Sequence, residues 1–133
     1  MKRGFACGVF DLFHAGHVLM LKECKSQCDF LVVAVNHAEN IDYNINPQKK
    51  SPIYSLSERK LILESCRYVD EVIDYSSEFE LAEIMRNGNF AVRFLGDDYK
   101  GRNITAPDAI SEIYYTNRDH GLSSSDIKRR LLG

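Results

Sequence analysis

No apolar run in this 133-residue chain is long enough to cross a bilayer, and no charge of one sign accumulates, the formal net charge being -2. Nucleic-acid binding usually needs a basic face, so no polynucleotide partner is expected. A nucleotide substrate would have to be held by a few placed cations. Cys-x-x-Cys pairs and mixed Cys/His clusters are also missing, which argues against a structural zinc site even though the chain holds four cysteines and four histidines. Cys7, Cys24, Cys28 and Cys66 lie in apolar segments, with no apolar leader before them. Reduced thiols in a cytoplasmic protein are the expectation. No separate oligomerisation segment stands out. With hydrophobic residues at 44% and charged residues at 27%, the length suits one domain, residues 1–133, with a sizeable core.

Within that frame the pattern alternates strands and helices. Phe5-Ala6-Cys7 reads as a short buried strand, and His17 to Cys28 as a helix with Val18, Leu21, Cys24 and Cys28 at helical spacing. Asp29 to Asn36 holds the near-continuous apolar run of a strand covered on both faces. A long polar loop then runs from His37 to Pro52. Ser55 or Ser57 caps a helix to about Cys66, with Leu61, Ile62 and Cys66 facing the core. Tyr68 to Tyr75 reads as a third strand and Glu78 to Asn87 as a helix ended by Gly88, with Phe79, Leu81, Ala82, Ile84 and Met85 as its apolar residues. Phe90 to Leu95 and Glu112 to Thr116 complete the strands, and Ser123-Ser124-Ser125-Asp126 opens a last helix from Ile127 to Leu132. Such alternation predicts an α/β fold: one Rossmann-like domain, a parallel sheet with helices on both faces and a site at the carboxyl edge.

The first strand joins the first helix through Gly8-Val9-Phe10-Asp11-Leu12-Phe13-His14-Ala15-Gly16-His17. A strand that turns through glycines into a helix aims free backbone N–H groups and the positive end of the helix dipole at one spot, which attracts anions. His14 and His17 are spaced to face that spot together. A metal pair is disfavoured, because no glutamate or cysteine stands beside them at zinc-ligand spacing. Capping or surface histidines with no ligand remain the alternative at this point.

The same string resembles the signature of the cytidylyltransferases, in the nucleotidyltransferase superfamily marked by His-x-Gly-His after the first strand. The agreement continues through Arg59-Lys60-Leu61-Ile62-Leu63-Glu64, Arg67-Tyr68-Val69-Asp70-Glu71-Val72-Ile73, Gly96-Asp97-Asp98 and Arg118-Asp119-His120-Gly121-Leu122-Ser123-Ser124-Ser125. These blocks fall in the order seen in the glycerol-3-phosphate cytidylyltransferases and cover nearly the whole chain. The resemblance implies a five-stranded parallel sheet of order 3-2-1-4-5, a homodimer, and transfer of CMP from CTP to a small phosphorylated acceptor, giving a CDP-linked product and pyrophosphate.

It also implies residue roles. His14 and His17 would stabilise phosphate charge, Lys50 and Arg118 would clamp the triphosphate, and Gly8, Val9, Phe10, Asp11, Gly16, Asp97, Gly121, Ser123, Ser124 and Ser125 would line the nucleotide site. Lys49, Arg67 and Asp70 fall to the acceptor. Magnesium would arrive on the triphosphate, without a dedicated protein cage. At two places the chain departs from the pattern. Gln48 stands where the family has a second loop lysine, with Lys49 adjoining it. Glu78 and Leu81 stand where the glycerol-3-phosphate enzymes have tryptophan and lysine, so the acceptor is open to polyol, sugar and amino-alcohol phosphates and phosphonates. The rival readings are an adenylyltransferase of the same superfamily, of heptose-phosphate or flavin type, and a non-catalytic nucleotide binder.

Overall fold

β2 (Phe30–Asn36) is the spine of the sheet, because its residues 31 to 35 are almost wholly shielded on both faces. It pairs in parallel with β1 (Arg3–Gly8) on one side and β3 (Glu71–Tyr75) on the other. β1 continues to β4 (Val92–Gly96), and β4 to β5 (Glu112–Thr116), again in parallel. The order is therefore β3-β2-β1-β4-β5, as the resemblance implied. The computed structural model describes residues 1–38, 51–117 and 121–133.

Alternating side chains on these strands feed two apolar layers. Ala6, Val33, Val35 and Phe94 pack against Leu21 and Cys24 of α1 (Ala15–Ser26) and Leu63 of α2 (Leu56–Glu64). Phe5, Val32, Ala34 and Tyr75 pack against Leu81 and Met85 of α3 (Glu78–Asn87) and against Ile110. α1 and α2 thus cover one face and α3 the other. Each helix start is fixed by a side chain accepting an orphan backbone N–H. Ser55 and Glu58 cap α2 reciprocally at 3.2 and 2.9 Å, Ser77 accepts from Glu80 N at 3.1 Å, and Ser123 accepts from Asp126 N at 3.1 Å to start α4 (Ser124–Leu132).

The structure corrects several sequence expectations. α1 begins two residues earlier than the expected His17, because His14 caps it, and it ends before Cys28. The strand expected from Tyr68 begins at Glu71, since Cys66 to Val69 close a turn with Val69 N on Cys66 O at 3.1 Å. The strand expected from Phe90 begins at Val92. Leu61 is 68% exposed, and the buried stripe of α2 runs instead through Arg59 and Leu63, one turn apart. Phe79 is 77% exposed, on the outer side of α3. α3 and β5 have the expected bounds.

Candidate active site

The β1–α1 connection reverses direction through a backbone that ordinary residues avoid. Phe10 and Leu12 lie in the left-handed region at φ 55° and 48°, which costs about 1–2 kcal/mol each for a residue with a side chain. Asp11, between them, anchors the turn. Its two carboxylate oxygens accept from Ile53 N at 2.8 Å and Tyr54 N at 3.0 Å, joining the motif to the entry of α2. Phe10 is buried, and its ring turns back toward Gly8.

This turn delivers two imidazoles to the first turn of α1. His14 Nδ1 accepts from Gly16 N at 3.0 Å, and His17 Nδ1 accepts from His14 N at 3.1 Å, a capping box built from histidines. Their ring centroids are 4.0 Å apart. An Nδ1 that accepts from an amide carries no proton, so each neutral ring holds its hydrogen on Nε2, on the side away from the cap. Phe13 stacks on His17 with centroids 5.3 Å apart and planes 7° apart, and Phe10 tilts against it at 5.7 Å. Of the readings left open by their spacing, the structure shows the capping one.

A cleft opens here at the carboxyl edge of the sheet. Gly8, Val9, Phe10, His14, Gly16 and His17 form one wall, and Thr116, Leu122 and Ser123 form the other. Thr116 is held by its hydroxyl on Leu95 O at 3.3 Å. Gly121, at φ +68°, supplies the left-handed residue that the approach to α4 requires. Glu23 of α1 fixes the exit of β5, accepting from Tyr114 Oη and Asn117 N, both at 3.0 Å. Cys7 reaches the same cleft from β1, and burial pushes its thiol pKa up, so it is neutral near pH 7.

Of the remaining expected residues, Asp97 is half-buried in a single 3-10 turn after β4, outside the residues that line this cleft. Ser125 is exposed on the first turn of α4, which Ser124 begins. Arg67 is exposed, its guanidinium 5.1 Å from the Tyr68 ring centroid and 3.0 Å from its hydroxyl. It borders a surface hollow that reaches the motif only through Phe13. Asp70 accepts from Leu31 N at 2.7 Å and pairs with Lys25, so its contacts bind β3 to β2 and α1. Lys49, Lys50 and Arg118 lie outside the described residues. Among the described residues, no cluster of three or more His, Cys, Asp or Glu side chains is arranged to hold a metal ion.

Sequence reasoning gave Arg59 no role. It is 2% exposed and donates to Val9 O at 3.0 Å, Asn36 O at 2.7 Å, His37 O at 3.1 Å and Tyr54 O at 3.2 Å. One guanidinium thereby ties the ends of β1 and β2 to the start of α2. The available signal was its place on the Leu63 stripe of an otherwise amphipathic helix.

A family model described as cytidylyltransferase-like matches residues 5–130. The chain belongs to the cytidylyltransferase-like family. It is 38% identical to the glycerol-3-phosphate cytidylyltransferase of Bacillus subtilis strain 168, over 100% of this chain and 99% of that protein. A probable ethanolamine-phosphate cytidylyltransferase of Encephalitozoon cuniculi is 33% identical over 98% of this chain, which spans 41% of that longer protein. Among solved structures, a lipopolysaccharide core biosynthesis protein from Thermoplasma volcanium GSS1 superposes with a TM-score of 0.63 at 31% identity, covering 74% of this chain and 76% of that one. Family membership brings the reaction class with it: the chain is a CTP-dependent nucleotidyltransferase that moves CMP onto a small phosphorylated acceptor.

Proposed function

We propose that the cleft holds the phosphates of CTP against the N-terminus of α1, and that an acceptor phosphate oxygen attacks the α-phosphorus in line. The bond to the β-phosphate breaks and pyrophosphate leaves with the electron pair. The protein need form no covalent bond, because alignment and charge stabilisation supply most of the catalysis in such displacements. The observation that carries this reading is the histidine capping box, which directs two Nε2–H donors away from a helix start flanked by Gly8, Val9 and Ser123. Lys50 and Arg118 take the clamping roles given by the resemblance, with Ser123, Ser124 and Ser125 orienting the triphosphate at α4. Magnesium enters with the triphosphate and neutralises part of its charge.

The acceptor is a polyol, sugar or amino-alcohol phosphate, with glycerol-3-phosphate the first to test. Glu78 meets the Thr105 hydroxyl at the position where the resemblance expects an aromatic ring, so the region beside the acceptor is more polar here. A homodimer would place the exposed Arg67 near a neighbouring copy. All four cysteines are free thiols, which supports a cytoplasmic location; among the described residues no helix is long and apolar enough to cross a membrane.

The test is pyrophosphate release with magnesium, comparing CTP with ATP against a panel of small phosphorylated acceptors. Release with CTP and one acceptor is the expected result and names the substrate. Release with ATP alone would replace cytidylyl with adenylyl transfer, and absence of both release and nucleotide binding would overturn the reading.

A further inference from the structure

Arg93, the second residue of β4, is 4% exposed. A buried guanidinium calls for an anion, because its desolvation is otherwise uncompensated. Its Nη1 donates to Thr105 O at 2.7 Å, a neutral carbonyl. Its Nε is buried with no hydrogen-bond partner. Among the described residues Arg93 forms no ion pair.

No neighbour among the described residues pairs with it directly. Cys7 and Tyr75 lie on the same side of the sheet, and burial raises the pKa of both, so both are neutral near pH 7. Glu78, at the exposed start of α3, is linked to Arg93 only through Thr105, whose hydroxyl donates to its carboxylate and whose carbonyl accepts from Nη1, so the two charges form no direct ion pair. The result is a cation set in a polar patch formed by β1, β3, α3 and the segment after β4.

That patch adjoins the cleft. Cys7 lines the cleft and is also within electrostatic reach of Arg93, so one side chain belongs to both. Pairing of Phe5 with Arg93 puts the arginine one strand from β1, on the α3 face. In-line transfer needs the attacking group opposite the leaving pyrophosphate. In the transfer reading the pyrophosphate lies toward Ser123, which leaves the end of β1 beside Cys7 for the acceptor.

We infer that Arg93 is a specificity-determining residue that binds an oxyanion of the acceptor, with the Glu78–Thr105 pair at the mouth of its subsite. This rests on the transfer reading above. The oxyanion is either the reacting phosphate or a second anionic group on the same molecule. A neutral polyol tail alone would leave the guanidinium as it stands in the free protein.

Arg93→Met keeps the length and removes the charge. Its steady-state constants are measured with CTP and two acceptors, glycerol-3-phosphate, which has one anionic group, and phosphoserine, which adds a carboxylate and an ammonium. Binding of each acceptor is titrated by calorimetry in parallel, and melting is recorded without ligand. The expected result is an acceptor KM or dissociation constant at least tenfold higher, a CTP KM within twofold of wild type, and a melting temperature no lower. A loss with both acceptors assigns the reacting phosphate to Arg93, and a loss with phosphoserine alone assigns the second anion. Acceptor constants indistinguishable between the two proteins, or a lowered melting temperature with unchanged kinetics, would overturn the inference and make Arg93 structural. If wild type releases no pyrophosphate from CTP with any acceptor, the transfer reading fails instead. Arg93 is then judged by calorimetry, where equal behaviour of the two proteins, including no binding by either, overturns its role.

Discussion

His14 and His17 cap the same helix through the same ring atom. His14 Nδ1 takes the Gly16 amide and His17 Nδ1 takes the His14 amide, which fixes both neutral rings in the Nε2–H tautomer. Support of the helix falls to Nδ1, and the donation to phosphate proposed above falls to Nε2. Substitutions can separate them.

Asparagine places an acceptor near the position of Nδ1 and nothing at Nε2, so His14→Asn should hold the cap and lose the donor. The expected outcome is a turnover at least a hundredfold lower, about 2.7 kcal/mol, with melting unchanged. His14→Ala loses the cap as well, for about 1 kcal/mol of stability. Thermal melts and turnover measured on both variants check this. Equal melting of the two would remove the capping role.

Arg59 satisfies four carbonyls from a buried position. Arg59→Met should leave them without a donor and destabilise by about 3 kcal/mol or more, read from chemical denaturation. The ends of β1 and β2 frame the cleft, so activity should fall along with stability. Arg59→Lys should recover little, since one ammonium cannot span the four sites.

Glu23 holds Tyr114 and the Asn117 amide, and its hydrogen bond raises the Tyr114 pKa. Glu23→Gln should bring the tyrosine titration, followed by ultraviolet absorbance, back toward the ordinary range. The same change loosens the exit of β5 toward α4, so the KM for CTP should rise severalfold with kcat less affected. A purely local contact would move the absorbance titration and leave KM alone.

Two carboxylates on β3 and its approach set the acid limit of the fold. Burial raises the Asp70 pKa, but the bonds from Lys25 and Leu31 N more than offset it and the net shift is downward. The bonds from His37 at 2.6 Å and Lys60 at 2.6 Å lower that of Asp74. A carboxyl whose folded pKa lies below its unfolded value stabilises fully above the unfolded value, near 3.9, and that contribution is lost as pH falls through the folded value. Melting temperature should hold down to about pH 5 and drop below about pH 4. Asp70→Asn should lower the plateau and flatten the acid limb.

Strand locations were legible because the buried strands are short apolar runs between turn residues, whereas the sheet order came from the family resemblance. α3 was legible to the residue, since Ser77 and Gly88 bracket it. Leu61 was expected inside because hydropathy assigns apolar residues inward, while the four carbonyls that draw Arg59 into the core are not visible in the sequence. Both site histidines were visible as a motif, but their tautomer depends on backbone amides that no spacing reveals. Arg93 was invisible for a related reason. An arginine between apolar neighbours on a strand reads as an edge or surface residue until its burial and missing partner are seen.

The most direct test of the account follows phosphorus from CTP labelled in turn at the α- and γ-positions, with magnesium and the acceptor found by the pyrophosphate assay. Attack at the α-phosphorus predicts α-label in the CDP-linked product and γ-label in pyrophosphate, with both lost in His14→Asn. Transfer of γ-label to the acceptor, or its release as inorganic phosphate, would contradict it.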